Sequence, residues 1–225
     1  MSKIILYHGS EKIIQKPMYE TGKAYKDYGK GFYCTKNLDL AKEWACTINS
    51  GGFVNKYEID TDALNILDLE TNEYTIIHWL ALLMENRKVR ISTPLMKRGT
   101  EWLKYNFHVD ISGYDAIIGY RADDSYFSFA RAFLNNEISL NQLAYAMKLG
   151  KHNEQFVLKS EKAFNLIKFV SYVPVNHTEY YSRRKKRDEV VRATLKAELE
   201  KDNIDGLYMR DIIREEVKVD DPRLR

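Results

Sequence analysis

The chain has 225 residues, of which 44% are hydrophobic and 30% charged, with a formal net charge of +3. That composition excludes a disordered segment, allows one sizeable core with or without an appendage, and permits an acidic partner without demanding one. Cys34 and Cys46 form neither a metal spacing nor a disulfide framework, no signal-peptide pattern opens the sequence, and the most apolar stretch, residues 76–84, is far too short to span a bilayer, so the expected setting is cytoplasmic.

Residues 4–7 predict a short strand that ends in His8-Gly9-Ser10, an imidazole and a bare backbone side by side at a sheet edge. Pro17 and Gly22 mark a loop leading to a second strand, residues 31–35, entered through Asp27-Tyr28-Gly29-Lys30-Gly31. Asn37 or Asp39 can cap a helix over residues 40–45, with Leu40, Ala41 and Trp44 on one face. After Gly51-Gly52, residues 54–59 alternate like a half-buried strand. Asn72 is the expected cap of a nearly all-apolar helix at 76–85, and a less regular helical stretch surrounds Glu101-Trp102-Leu103. Residues 114–120 predict a buried strand that ends at Ala122-Asp123-Asp124. Helical runs at about 126–134 and 140–149 precede a short strand at 155–158, and residues 161–169 read as a helix or a turn-rich closing element.

From Thr178 the composition changes. Arg183-Arg184-Lys185-Lys186-Arg187 leads a charged helix through Leu199, Asp202-Asn203-Ile204-Asp205-Gly206 stops it, and a second helix spans 207–217. Short strands separated by helices and long connections predict an α+β fold. Residues 1–177 form the expected main domain, and residues 178–225 a helical C-terminal extension packed on it or projecting from it.

The His8 strand, the Gly29-Lys30-Gly31-Phe32-Tyr33 turn, the Ala41 to Trp44 helix, Asn86-Arg87, the 114–124 strand and the late Gln155-Phe156-Val157 strand followed by Lys162-Ala163 together resemble the ADP-ribosyltransferase superfamily, in its His-Tyr-Glu branch. The resemblance covers roughly residues 4–169 and is nearest to a bacterial family of toxin–antitoxin or phage-defence type. It implies a split β-sandwich core with inserted helices, NAD as co-substrate, no metal, no membrane, and a protein or nucleic-acid acceptor. A neutralising antitoxin protein is a further implied partner. His8 would hydrogen-bond a ribose hydroxyl, and Gly9 with Ser10 would meet the nicotinamide carboxamide. Tyr33 would stack on the nicotinamide face, Gly29 and Gly31 would let their loop approach closely, and Arg87 would contact a phosphate.

The third catalytic position stays open between Gln155 and Glu154, because neighbouring strand residues face opposite ways. A glutamine orients a hydroxyl but carries no charge, so Asp123 or Asp124 would then supply the negative character. Each candidate also has a structural reading. Asp123 can cap the next helix, Arg87 can complement a helix C-terminus, and the 183–187 run can be a solvated face instead of a nucleic-acid track. His78, His108, His152 and His177 show no ligand spacing, and Cys34 reads as a small strand apolar residue. Two rivals accompany the transferase reading. One is a silent nucleotide- or partner-binding module of the same fold. The other is a nuclease-type toxin that uses His8, a second histidine and the basic tail.

Overall fold

The computed structural model describes residues 3–148, 154–201 and 203–225. His152, Asn153 and Asp202, together with the end of the helix expected to reach 149, lie outside the described residues. The fold is mixed α+β with two sheets. β1 (Lys3–Ser10) and β3 (Phe53–Asp60) pair antiparallel, and β7 (Lys168–Pro174) adds to the far side of β3. The second sheet runs β2 (Phe32–Cys34), β6 (Glu154–Leu158), β5 (Ala116–Tyr120), β4 (Ile66–Asp68), antiparallel except for the parallel β4–β5 pair. Among the described residues a single bridge joins the sheets: Tyr7 and Thr35 exchange both backbone hydrogen bonds, at 2.8 and 2.9 Å.

Alternation along the strands builds two cores. Leu6, Tyr57 and Ile59 of the first sheet meet Phe32, Cys34, Phe156 and Leu158 of the second, so one apolar layer lies between the sheets. The odd-numbered partners Tyr33, Ile117 and Val157 face the other way and join a larger core with the helices. Those helices are α2 (Ile76–Asn86), α3 (Pro94–Asn106), α4 (Asp124–Leu134) and α5 (Leu140–Lys148). Helix α2 is buried at eight consecutive positions from Ile77 to Met84, as its all-round apolar sequence requires. Its cap is not Asn72 but Thr75, the residue directly before the first helical turn, in a reciprocal box with His78. Asn72 is too far upstream to reach the first free amides.

Helix α1 (Leu38–Ala45) is capped by Asn37, whose side chain accepts from the N–H groups of Asp39 and Leu40. It packs against β1 and β3. Gly9 makes this contact possible, since a Cβ there would lie 1.9 Å from the Ala41 carbonyl oxygen. Two strands escape the sequence pattern. β4 has only three residues. The segment read as one closing element divides into α6 (Glu161–Leu166) and the edge strand β7, which is exposed on both faces and so shows no alternation.

The C-terminal segment packs on the domain. α7 (His177–Leu199) lies against α1, α4 and α5, while α8 (Met209–Arg214) lies against α3. Val191, Met209, Ile212 and Leu224 are buried in the larger core, and Met209 fills the space left by Gly99. Among the described residues no helix is long and apolar enough to cross a membrane.

Candidate functional site

A cleft of about 750 Å³ opens where the two sheets, α1 and α7 meet. His8, Gly9, Tyr33, Arg87, Asp123 and Gln155 all line it. Ser10, Gly29, Gly31 and Glu154 do not.

His8 leaves β1 on the side of Leu6 and lies tilted over Phe32, with ring centroids 4.4 Å apart. Its Nδ1 is 2.7 Å from the Tyr33 carbonyl oxygen. A carbonyl only accepts, so Nδ1 carries the proton and Nε2 keeps its lone pair. Burial, with the Lys26 ammonium nearby, outweighs the Tyr33 carbonyl and brings the imidazole down to about 4. At neutral pH His8 is therefore an uncharged ring that offers an acceptor.

Gly9 contributes backbone. Residues two apart on a strand direct their N–H and C=O to the same side. Tyr7 spends both on Thr35, so those of Gly9 face the same edge, beyond the last bridging residue of the second sheet. The glycine itself is required by α1, not by a ligand. Ser10 is turned away: its Oγ donates to the Lys12 carbonyl and accepts from Asn55.

Tyr33 is held by two hydrogen bonds at its hydroxyl. Its hydroxyl donates to the Gly29 carbonyl at 2.7 Å and accepts from the Tyr28 N–H at 3.0 Å. The Lys26 ammonium lies 4.5 Å from the ring centroid, so a cation already occupies one face. Gly29 adopts a φ of +71°, and a Cβ on Gly31 would lie 2.7 Å from the Leu158 carbonyl. The two glycines thus shape the turn and seat it on β6, which corrects their expected contact with a ligand. Lys159 secures the same turn by donating to the carbonyls of Tyr28 and Lys30.

The late strand separates its two candidates. Gln155 is 6% exposed and lines the cleft on the Tyr33 side of the sheet. Its Oε1 has no hydrogen-bond partner among the described residues. Glu154 points to the opposite face and pairs with Lys36 at 3.0 Å, which removes it from the site.

Arg87 reaches the cleft already committed. Its Nε lies 2.7 Å from Oδ1 of the buried Asp27, and its Nη2 donates to the Ala122 carbonyl. Asp27, which the sequence does not single out, also accepts the Ala122 N–H at 2.9 Å. This buried pair ties the glycine turn to the end of β5, so Arg87 acts as a strut where a phosphate contact was expected. Asp123 is committed too. It caps α4 through the Tyr126 N–H and meets Arg187 at 2.8 Å and Arg121 at 3.4 Å. Burial opposes its ionisation, but the two guanidiniums and the amide prevail and hold the carboxyl down at about 2. A carboxylate so held is a poor proton acceptor, which removes Asp123 as a base. Asp124, exposed in the first turn of α4, is the cleft aspartate that makes no ion pair among the described residues.

Of the described histidines, His8 is the one that lines the cleft. His78 serves the α2 cap, His108 pairs with Glu85, and His177 contacts the Thr47 carbonyl. Cys34 is fully buried and burial pushes its thiol up, as suits a packing residue. No group of three or more potential metal ligands occurs among the described residues. Sequence reasoning missed Lys26, Trp44 as a cleft residue and Arg121, and it weighed the 183–187 run as a nucleic-acid track or a solvated face where Arg184, Lys185, Arg187 and Arg192 of α7 form one wall of the cleft.

Fold and site thus define a two-sheet α+β protein with a polar cleft built around a neutral histidine and a buried glutamine. Residues 4–169 match the family described as "Protein of unknown function (DUF3990)", and the chain belongs to that family. No curated protein and no solved structure gives a significant match.

Proposed function

We propose that the chain is a cytoplasmic mono-ADP-ribosyltransferase that uses NAD and modifies a protein or nucleic-acid acceptor, as the toxic half of a defence or toxin–antitoxin pair. One observation carries the reading. Gln155, with a buried and unpartnered acceptor, lines the same cleft as the His8 imidazole, the Tyr33 ring and the outward-facing Gly9 backbone. These four are among the groups that the superfamily resemblance names, Gln155 there as the alternative to Glu154, and they come from three strands of two different sheets. A buried polar atom without a partner in a cleft is a place for a ligand group.

The reaction breaks the bond between the ribose C1′ and the nicotinamide nitrogen. The bonding pair leaves with neutral nicotinamide, and an acceptor lone pair then forms the new bond to C1′ and sheds its proton. In between, the ribose has oxocarbenium character. In this reading His8 Nε2 and Gln155 Oε1 accept from the ribose hydroxyls and fix the sugar. The Gly9 N–H and C=O pair with the carboxamide, and the Tyr33 ring packs against the pyridine, displacing Lys26. The remaining cleft carboxylate, Asp124, stands where an acceptor proton can leave.

Release of nicotinamide from NAD by the purified chain, compared with His8→Ala and Gln155→Ala, tests this. Equal release from all three would remove the site assignment.

A silent binding module is favoured by two facts: Gln155 is a carboxamide, and Asp123 is neutralised by two arginines. Calorimetry distinguishes it, as tight NAD binding with no nicotinamide released whatever acceptor is supplied.

A further inference from the structure

Beyond the histidine and glutamine, the cleft has a second polar region whose donors are unspent. Arg121 follows β5 and is 8% exposed, yet its Nη1 has no hydrogen-bond partner among the described residues. Its Cζ lies 5.1 Å from the Trp44 ring, and the Trp44 indole N–H is likewise buried and unpartnered. Two buried donors side by side, one of them charged, form half of a hydrogen-bonded structure whose acceptor is missing. Burial and the nearby guanidiniums of Arg187 and Arg184 bring Arg121 down to about 10, against the pull of Asp123. It remains a cation at neutral pH and is under-compensated.

The opposite wall is α7, which lies outside the segment matched by the family. Arg184 reaches across to the Cys46 carbonyl at 3.1 Å with Nη1. Arg187 spans Glu43 and Asp123, both at 2.8 Å, and so fixes the helix against α1 and α4. Among the described residues seven lysines and arginines line the cleft against four aspartates, so its field is positive. The four aspartates do not cancel this region. Asp27 is spent on Arg87, Asp123 on Arg121 and Arg187, and Asp188 on Arg192, while Asp124 lies out in solvent.

We propose that Arg121 and Trp44, walled by Arg184 of α7, form a binding subsite for the diphosphate of a nucleoside diphosphate. Trp44 gives one directional donor, Arg121 gives the planar fork that suits phosphate oxygens, and Arg184 closes the site from the C-terminal helix. Enclosure separates this ligand from a nucleic-acid strand. The unspent donors of Arg121 and Trp44 are buried within a cleft of about 750 Å³, the size of small-ligand pockets. Arg184 alone of the three is exposed, whereas a strand would be tracked mainly by exposed cations. The subsite supplies the phosphate role expected of Arg87, whose Nε and Nη2 are engaged by Asp27 and the Ala122 carbonyl. It also makes α7 a working part of the cleft.

This deepens the dinucleotide reading of the same cleft, but ADP, which has no nicotinamide, tests it separately. Calorimetry on the full chain at 0.15 M salt with ADP and with adenosine is the measurement. ADP should bind at least tenfold more tightly than adenosine. Arg121→Lys, which keeps the charge beside Asp123 but loses the fork, should weaken ADP at least tenfold, and Arg184→Met three- to tenfold. Lys186→Met, on the same helix but outside the cleft, should change it by less than twofold. Absence of ADP binding, equal affinity for adenosine, or indifference to both arginine variants overturns the proposal. So does a single-stranded oligonucleotide that binds where ADP does not. Should NAD cleavage persist in any of those cases, the transferase reading survives the loss of the subsite. Conversely, ADP binding that needs both arginines, without any nicotinamide release from NAD, keeps the subsite and removes the transferase.

Discussion

The Nδ1–H of His8 donates to the backbone carbonyl of Tyr33 at 2.7 Å, so the two residues hold each other across the junction of the two sheets. The bond sets the tautomer of the imidazole and presents its other nitrogen to the cleft.

A flat acid limb follows for turnover. With His8 down at about 4, activity should be level from about pH 8 to pH 5 and fall as the ring is protonated near pH 4. His8→Ala should lower kcat/KM by roughly 10- to 100-fold, the worth of about 1–3 kcal/mol in a lost ligand hydrogen bond. A limb that persists unchanged in His8→Ala would assign it to another group.

The same depressed value has a stability consequence. The unfolded chain takes up a proton at His8 near pH 6.5 while the folded one does not until about 4, so acidification through that window favours unfolding. The loss approaches ~3 kcal/mol by pH 4. Urea titrations of the parent and His8→Asn at pH 7 and pH 4.5 should show the parent losing more between the two pH values.

Gln155 and Glu154 should part company completely. Gln155→Ala is expected to reduce kcat/KM by roughly 10- to 100-fold at unchanged fold. Glu154→Ala removes an outward ion pair with Lys36, so activity should stay within about twofold and stability within about 1 kcal/mol. Steady-state nicotinamide release and thermal melts decide, and the reverse order of sensitivity would invert the strand's assignment.

Gly9→Ala tests why the residue after His8 is glycine. The added methyl would have to displace the Ala41 carbonyl of α1, and a loss of at least ~3 kcal/mol or failure to fold is expected. Gly113→Ala, where nothing lies within 4 Å of the new carbon, should leave the melting temperature unchanged or slightly raised.

Asp123 is an electrostatic keystone. Asp123→Ala leaves the buried Arg121 without its anion and Arg187 with Glu43 alone, at a cost of about 3–5 kcal/mol. Because its folded value is depressed to about 2, its stabilisation is complete above about pH 4 and disappears as pH falls through 2. Chemical denaturation of Asp123→Ala beside Asp124→Ala should show the first far weaker than the second.

The sequence announces what periodicity can announce. The alternating run at 54–59 and the all-apolar helix at 76–85 stand where their patterns put them, and Gly29-Lys30-Gly31 does make a turn into a strand. It is silent about β4, with three residues, and about β7, whose two exposed faces erase the alternation. The site was legible where a residue type is unusual for its context, as with His8 beside Gly9. Asp27 looked like an ordinary turn residue, and only the fold brings Arg87 and Ala122 onto it. The part of α7 was hidden for another reason. Its apolar residues are few and lie on several sides, so nothing in the heptads says which face meets the domain.

Among the described residues Tyr7 and Thr35 are the one backbone rung between the two ladders. The imidazole rides on one ladder and the carboxamide on the other, so their separation is governed by a joint of two backbone hydrogen bonds and the His8–Tyr33 contact beside them. A tilt at that joint alters the reach from His8 to Gln155 without disturbing a single strand pairing, and amide exchange at those two positions would register it first.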